Sequence, residues 1–299
     1  MKKKEIKKEY DRKIRKLVKF NKFYYEHNDP IVDDAEYDAL KKDILKLESE
    51  YSELKNKNSP SLVIGFKPSK NFEKVLHRVP MLSLANAFDQ DDLNNFEKKI
   101  TNYLNQKDRS LLEYSAEPKI DGISASLSYK DGVFTTGLSR GDGKEGEDIT
   151  ENLKTVSDIP QRILSKDFPD EIEIRGEIFI QNNDFKKLTG KFANPRNAAS
   201  GSLRQKNPLE TKKIPLNFIA YTFGYEKGLK INKQSEFLKK LKEWGFKTNP
   251  LNKTIKGIKN LMKNYHEIEN KRGSIDFDID GIVYKLSLIH ISEPTRLSV

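Results

Sequence analysis

The sequence contains no cysteine and only 4 histidines among its 299 residues. Without thiols it can form neither a disulfide nor a thiolate metal site, and its histidines show no metal-ligand spacing. No structural zinc is therefore expected within these residues. Long apolar runs are missing too. The start, Met1-Lys2-Lys3-Lys4-Glu5, has no apolar segment behind its basic residues, and no stretch nears the ~20 apolar residues that span a bilayer. A cytoplasmic protein without a membrane partner is the expectation. Charge, by contrast, is plentiful: 55 Lys and Arg against 45 Asp and Glu, for a net charge of +10. Such a balance suits a partner carrying phosphates, and equally a chain whose helices are simply coated in lysine. Hydrophobic content of 35% is low, but 10% aromatic residues argue against wholesale disorder. The length allows two domains.

Apolar residues at helical spacing (Ile14, Leu17, Val18, Tyr24, Tyr25) predict a helix from about Lys4 to Asn28. Asn28-Asp29-Pro30 breaks it, and Asp33 with Glu36 reads as the cap of a second helix through Leu47 and Tyr51. This helical unit is bounded at residue 68. Beyond Val79 short alternating runs take over, at Leu111–Ala116, Ser124–Tyr129, Val133–Ser139, Glu171–Ile174 and Phe218–Phe223. Lys130-Asp131-Gly132 between two of them signals a hairpin. Helical patterns at Asp91–Leu104 and Ser235–Trp244 lie between the runs. Strands joined by tight turns rather than by regular helical crossovers predict an α+β fold with a mainly antiparallel sheet.

The richest stretch is Glu117-Pro118-Lys119-Ile120-Asp121-Gly122, which sets a lysine between two carboxylates at the end of a strand pattern. A free lysine amine, with a pKa of roughly 10.4, is a poor nucleophile unless cationic neighbours or desolvation release its proton. Taken alone, the motif is more often a solvated turn. Ser139-Arg140-Gly141-Asp142-Gly143 follows the hairpin and offers a close backbone approach with a phosphate-binding fork. In Glu173-Ile174-Arg175-Gly176-Glu177, alternation puts three charges on one strand face, and Gly176 is expected to interrupt the strand. A carboxylate there suits a ribose hydroxyl or a Mg²⁺ ion. The small-residue run Phe192–Arg204 carries Arg196 and Arg204 two helical turns apart, as a surface pressed on a phosphate backbone would. Asp280–Lys285 is a strand ending in a lysine that could meet the same phosphate as Lys119. Asp34, Tyr37 and Asp38 share a helix face, and with Tyr24 and Tyr25 they would cradle a flat organic cation.

In this order, and with Asp34-Ala35-Glu36-Tyr37-Asp38 and His77–Leu84, these runs closely resemble the bacterial NAD⁺-dependent DNA ligases from about Tyr10 to Lys285. The lysine motif alone is shared with ATP-dependent ligases, RNA ligases and capping enzymes; the acidic-aromatic helix upstream is particular to the NAD⁺ family. The resemblance implies a small N-terminal helical domain (residues 1–68) that binds nicotinamide mononucleotide. An antiparallel-sheet nucleotidyltransferase (adenylation) domain of the ligase/capping-enzyme type follows (69–285). Lys119 would attack NAD⁺ to form lysyl-AMP, AMP would pass to the 5′-phosphate of nicked double-stranded DNA, and the 3′-hydroxyl would seal the strand. Tyr24, Tyr25, Asp34, Tyr37 and Asp38 would hold the departing nicotinamide mononucleotide. Ser83, Leu84, Glu117, Arg140 and Glu177 would line the adenosine pocket, with Tyr221 stacking on adenine and Lys285 touching phosphate. Arg196, Arg204 and Arg272 would contact the DNA backbone. Mg²⁺, or Mn²⁺ in its place, is the implied metal, with no protein ligand assigned, and zinc is expected only in the family's C-terminal region. A monomer associated with the nucleoid is expected.

The resemblance stops after Lys285, and residues 286–299 are expected to be a foreign tail. The chain is therefore expected to be an N-terminal fragment that recognises NAD⁺ but seals nicks poorly. The alternatives are an inert nucleotide- or DNA-binding fragment of the same ancestry and an ATP- or GTP-dependent nucleotidyltransferase.

Overall fold

A computed structural model describes residues 3–25, 32, 34–56, 59–60, 72–82, 85–87, 89–105, 112–188, 192–288 and 297–298. Helices α1 (Lys3–Tyr25) and α2 (Asp34–Glu50) form the N-terminal unit. Tyr10, Ile14, Leu17 and Phe20 make one apolar stripe on α1, and it closes on Leu40 and Ile44 of α2. Tyr37 donates to Asn21 Oδ1 (2.8 Å) and Lys16 to Glu36 (2.8 Å), which sets the two helices antiparallel. The buried Tyr10 hydroxyl donates to Glu48 (2.8 Å), and burial beside that carboxylate pushes the phenol up to about 12. The expected Asp33 cap, the Asn28-Asp29-Pro30 break and the loop through Pro68 lie outside the described residues.

In chain order the remaining strands are β1 (Lys74–Leu76), β2 (Ala85–Asn86), β3 (Glu113–Ile120), β4 (Ile123–Lys130), β5 (Val133–Ser139), β6 (Glu145–Glu147), β7 (Glu171–Ile180), β8 (Leu216–Lys227), β9 (Lys253–Lys256), β10 (Ile279–Leu286) and β11 (Leu297–Ser298). The helices among them are α3 (Gln90–Tyr103), α4 (Thr150–Leu153), α5 (Asn182–Phe185), α6 (Pro195–Leu203), α7 (Pro208–Lys212), α8 (Gln234–Glu243) and α9 (Ile258–Lys271). One sheet runs β2-β11-β10-β3-β9, antiparallel except for β11 with β2, and a second runs β5-β4-β7-β8, wholly antiparallel. The predicted hairpin is present, with Asp131 (φ 49°) and Gly132 (φ 73°) both left-handed as its two-residue turn demands.

Period-2 alternation decides where the cores lie. On β3, Tyr114 and Ala116 point toward α3 and α9, where they pack with Leu93, Phe96, Leu261, Ile282 and Tyr284. On the second sheet, Ala125, Leu127, Ile172, Ile174 and Phe218 point toward α4, α6 and α8. The opposite faces carry Ser115, Glu117 and Lys119 on β3 and Ser124, Ser126, Glu173, Arg175 and Glu177 on β4 and β7. A packed sandwich would put apolar side chains there. These two sheets instead present polar faces to a shared cleft, closed at one end by the apolar contact of Ile120, Phe179, Ile219 and Phe277.

Two local expectations change. Gly176 does not interrupt β7, which continues to Ile180; it marks a register shift opposite β8, and a Cβ there would lie 2.3 Å from the Phe218 ring and 2.4 Å from the Ile219 carbonyl. The small residues of α6 are not an open surface either. Ala198, Ala199 and Leu203 are buried in the core of the second sheet, so their size serves close helix–sheet packing.

Candidate active site

Lys119 stands on the last turn of pleat in β3, two residues before the chain leaves one sheet for the other at Asp121-Gly122. That crossing requires glycine. A Cβ on Gly122 would fall 2.4 Å from the Ile178 carbonyl and 2.8 Å from Glu177 Cγ, so the turn lies directly on β7 beside Glu177. The Lys119 ammonium forms an ion pair with Asp280, which a bulge between Ile279 and Gly281 turns toward it. Arg196, at the start of α6, donates to Asp121 (2.5 Å), and Ser124 donates to Glu177 (2.9 Å). Two cations and three carboxylates thus meet around the nucleophile candidate.

The carboxylates are not equivalent. Burial pushes Glu177 up to about 7, against the pull of Arg196 and Lys119, and burial also raises Asp121, with Asp280 adding to the rise. A carboxyl that holds its proton more tightly in the fold than in the unfolded chain makes the fold less stable as pH climbs from about 4.5 to about 7. Glu177→Gln is therefore expected to raise Tm at pH 8, by up to about 3 kcal/mol in stability, and to leave it unchanged at pH 4. Calorimetric scans at the two pH values check this, and equal shifts at both would refute burial as the cause.

A second cluster lies deeper. Glu117 and Lys285 are both buried and joined at 2.8 Å. Glu117 also accepts from Ser115 (2.9 Å) and from Gln234 Nε2 (2.9 Å), and the Tyr221 carbonyl accepts from the same Gln234 amide (2.7 Å). The Tyr221 ring centroid lies 5.4 Å from Lys285 Nζ. Strand register offsets the two groups: Gly281 opposes Lys119 and Lys285 opposes Ser115, while Glu117, which Lys285 reaches, lies two residues or about 7 Å from Lys119 along β3.

The His77–Leu82 segment is clamped over the cleft. Arg175, held by Glu173 (2.9 and 2.7 Å), donates to the Val79 and Pro80 carbonyls (2.5 and 3.2 Å). His77 Nε2 lies 3.1 Å from the Arg140 carbonyl, so that nitrogen carries the proton, and burial lowers the imidazole's pKa.

Of the residues singled out in the sequence, Lys119, Glu117, Glu177, Tyr221 and Lys285 line this cleft, and Arg140 is tied to His77 through its backbone carbonyl. Arg196 and Arg204 are engaged within the fold, Arg204 with buried Glu147 (3.0 Å), and Arg272 is exposed beyond α9. Ser83 and Leu84 lie outside the described residues, as do the side chains of Tyr24, Tyr25, Asp34 and Asp38. Their backbone positions are informative nonetheless. Tyr24 and Tyr25 end α1, while Asp34, Tyr37 and Asp38 open the antiparallel α2, so all five share one end of the hairpin. Sequence reasoning assigned no role to Gln234, nor to Asp280 as the partner of Lys119. Asp-Gly at Asp121-Gly122 and Asp280-Gly281 did not single the pair out, since it recurs at Asp131-Gly132 and Asp142-Gly143. Among the described residues no group of three or more His, Asp or Glu side chains is arranged to hold a metal, and no helix is long and apolar enough to cross a membrane.

Comparison with known proteins matches residues 69–295 to the NAD-dependent DNA ligase adenylation domain and residues 3–65 to the DNA ligase-like N-terminal NAD⁺-binding domain. The chain is 64% identical over 284 residues to a DNA ligase of Pelagibacter ubique (strain HTCC1062), covering 95% of this chain and 42% of that protein. It is 44% identical over 290 residues to a DNA ligase of Parvibaculum lavamentivorans, covering 94% of this chain and 41% of that protein. The chain thus spans about 42% of the length of such relatives.

Proposed function

The chain belongs to the NAD-dependent DNA ligase adenylation-domain family, and from that premise we propose that its cleft carries out the first, self-adenylating step of nick sealing. The observation that carries this reading is that one face of β3 holds Lys119, in its ion pair with Asp280, and two residues or about 7 Å earlier the buried Glu117–Lys285 pair. One extended nucleoside monophosphate can span that length.

At the charged end, Lys119 Nζ attacks the α-phosphorus of NAD⁺. A phosphorus–nitrogen bond forms, the bond to the bridging oxygen breaks, and nicotinamide mononucleotide leaves with the electron pair. The ammonium must first give up a proton, and the Asp280 carboxylate is the acceptor in contact with it. Arg196 and Arg140 supply positive charge where the transferring phosphoryl oxygens gather it. Mg²⁺ commonly binds through one or two carboxylates plus substrate phosphates, and Asp121, Glu177 and Asp280 offer oxygens of that kind. A bound Mg²⁺ would supply further neutralisation of phosphate charge. Glu177 accepts from a ribose hydroxyl. Lys285 is assigned to the base and not to the phosphate that Lys119 meets: its depth and register put it with Glu117, where an ammonium and a carboxylate together complement an acceptor–donor edge such as that of adenine. Tyr221 stacks on the base, and Ser83 and Leu84 complete its pocket.

The α1–α2 end, with Tyr24, Tyr25, Asp34, Tyr37 and Asp38, receives the nicotinamide mononucleotide half, whose pyridinium is the flat cation that acids and rings suit. Domains 1–68 and 69–285 are thus the two halves of one NAD⁺ site. Transfer of AMP to a 5′-phosphate of nicked DNA, with Arg196, Arg204 and Arg272 on its backbone, is the onward step.

Intact-mass spectrometry after incubation with NAD⁺ and Mg²⁺ tests the reading. One AMP adduct, with free nicotinamide mononucleotide, is expected. Labelling by ATP but not NAD⁺ would sink the choice of donor, and no adduct with any nucleotide would sink the activity.

A further inference from the structure

Gln234 opens α8, far in sequence from every other residue of the cleft, yet it ties three strands together at the cleft's deep end. Its Nε2 donates to Glu117 Oε1 on β3 (2.9 Å) and to the Tyr221 carbonyl on β8 (2.7 Å), and its backbone N–H donates to the Ser287 carbonyl just beyond β10 (2.8 Å). It is 3% exposed. Both acceptors demand the NH₂ end of the amide, so its orientation is fixed; a flipped amide would set its oxygen against a carboxylate and a carbonyl. With Ser115 and Lys285 also on Glu117, the carboxylate is held by three donors, Ser115 and Gln234 on Oε1 and Lys285 on Oε2.

We propose that Gln234 is a positioning residue for base selection: it fixes the plane of the Glu117 carboxylate, and through it Lys285, so that the pair accepts adenine and rejects a 6-oxopurine. This rests on the assignment of Glu117 and Lys285 to the base. Adenine offers an amino donor at position 6 and an acceptor at N1, complementary to a carboxylate beside an ammonium. Hypoxanthine reverses both groups, setting a carbonyl against the carboxylate and an N–H against the ammonium. Rejection of that kind requires that neither side chain swing away to relieve the mismatch, because a buried polar group loses most when it cannot find another partner. Ser115 also donates to Oε1, but its hydroxyl turns freely, whereas the Gln234 amide is itself held on the Tyr221 carbonyl and so fixes that oxygen.

The test uses the 299-residue chain and equilibrium binding of AMP and of IMP, by calorimetry, to the parent protein and to Gln234→Met and Gln234→Glu. The parent is expected to prefer AMP at least tenfold. Gln234→Met, which keeps the volume and drops both hydrogen bonds, is expected to reduce that preference at least fivefold, mainly by admitting IMP. Gln234→Glu, which sets a second carboxylate against Glu117, is expected to weaken AMP by more than tenfold. Equal weakening of AMP and IMP in Gln234→Met, with a lower Tm, would reduce Gln234 to a structural tie and overturn the proposal. So would an unchanged preference, or a parent protein that binds the two nucleotides alike. Adduct formation with NAD⁺ is a separate measurement, so failure of the catalytic reading and failure of this one are told apart.

Discussion

A chain carrying Lys119→Arg is expected to form no AMP adduct at all, even though it keeps the positive charge and the ion pair with Asp280. Arginine stays protonated at any pH a protein tolerates, so it can neutralise Asp280 but offers no lone pair to phosphorus. Lys119→Met removes the charge as well and is expected to give the same blank result. Were Lys119 only an electrostatic clamp on the phosphates, the two variants would differ, with arginine close to the parent. Intact-mass measurement of both, beside the parent, reads the outcome directly. Any adduct on the arginine variant would move the nucleophile to another side chain, which peptide mapping would identify. The effect is expected to be all-or-none because Lys285, the other lysine described in the cleft, is buried in its pair with Glu117 and not available to phosphorus.

Lys285→Met should be the most destabilising single substitution in the cleft. Both partners of the Lys285–Glu117 pair are almost fully buried, at 6% and 5% side-chain exposure. Removing the cation leaves an unpaired carboxylate in the interior, which typically costs 3–5 kcal/mol, about as much as a marginally stable domain possesses. Ser115 and Gln234 still donate to that carboxylate and hold the loss toward the lower figure. Adding Glu117→Leu to Lys285→Met is expected to recover much of the stability, because the pair is dispensable to folding once both charges are gone. Urea unfolding of the two single variants and the double closes the cycle. A double variant no more stable than Lys285→Met would show that the cost is lost packing and not a stranded charge. The recovered double variant is expected to bind no AMP, which separates what the pair does for the nucleotide from what it does for the fold.

Local signals carried much of this. Alternation gave β4 and β5 almost to the residue, because their Ser and apolar residues alternate and Asp131-Gly132 dictates the turn. Alternation fell short on β3 and β7. Beyond Ala116 the core-facing positions of β3 are Pro118 and Ile120, and Glu117 and Lys119 alternate with them, so the pattern looks like a strand ending at a charged turn when the strand in fact continues past Lys119. On β7, Gly176 resembles a break in a sequence, whereas in space it is the one residue that lets the Phe218 ring lie against the strand. Nor could alternation show that Glu173 and Arg175 are buried together, since a charged face usually points to solvent. The pairs that define the site are long-range: Lys119 meets Asp280 across 161 residues and Glu117 meets Lys285 across 168. A single sequence offers candidates for such pairs, but only the register of β3 against β10 decides which of them meet.

The passage of the chain from β3 to β4 at Asp121-Gly122 makes one covalent joint common to both sheets, and the apolar contact of Ile120 with Phe179, Ile219 and Phe277 sits beside it. A joint of that kind acts as a fulcrum. The far end of the cleft carries a second tie, where the Gln234 amide joins Glu117 of β3 to the Tyr221 carbonyl of β8. The two sheets are thus pinned covalently at one end and by hydrogen bonds at the other. Tilting one against the other has to break the Gln234 contacts first, and the spacing between Lys119 and the Glu117–Lys285 pair is held from both sides.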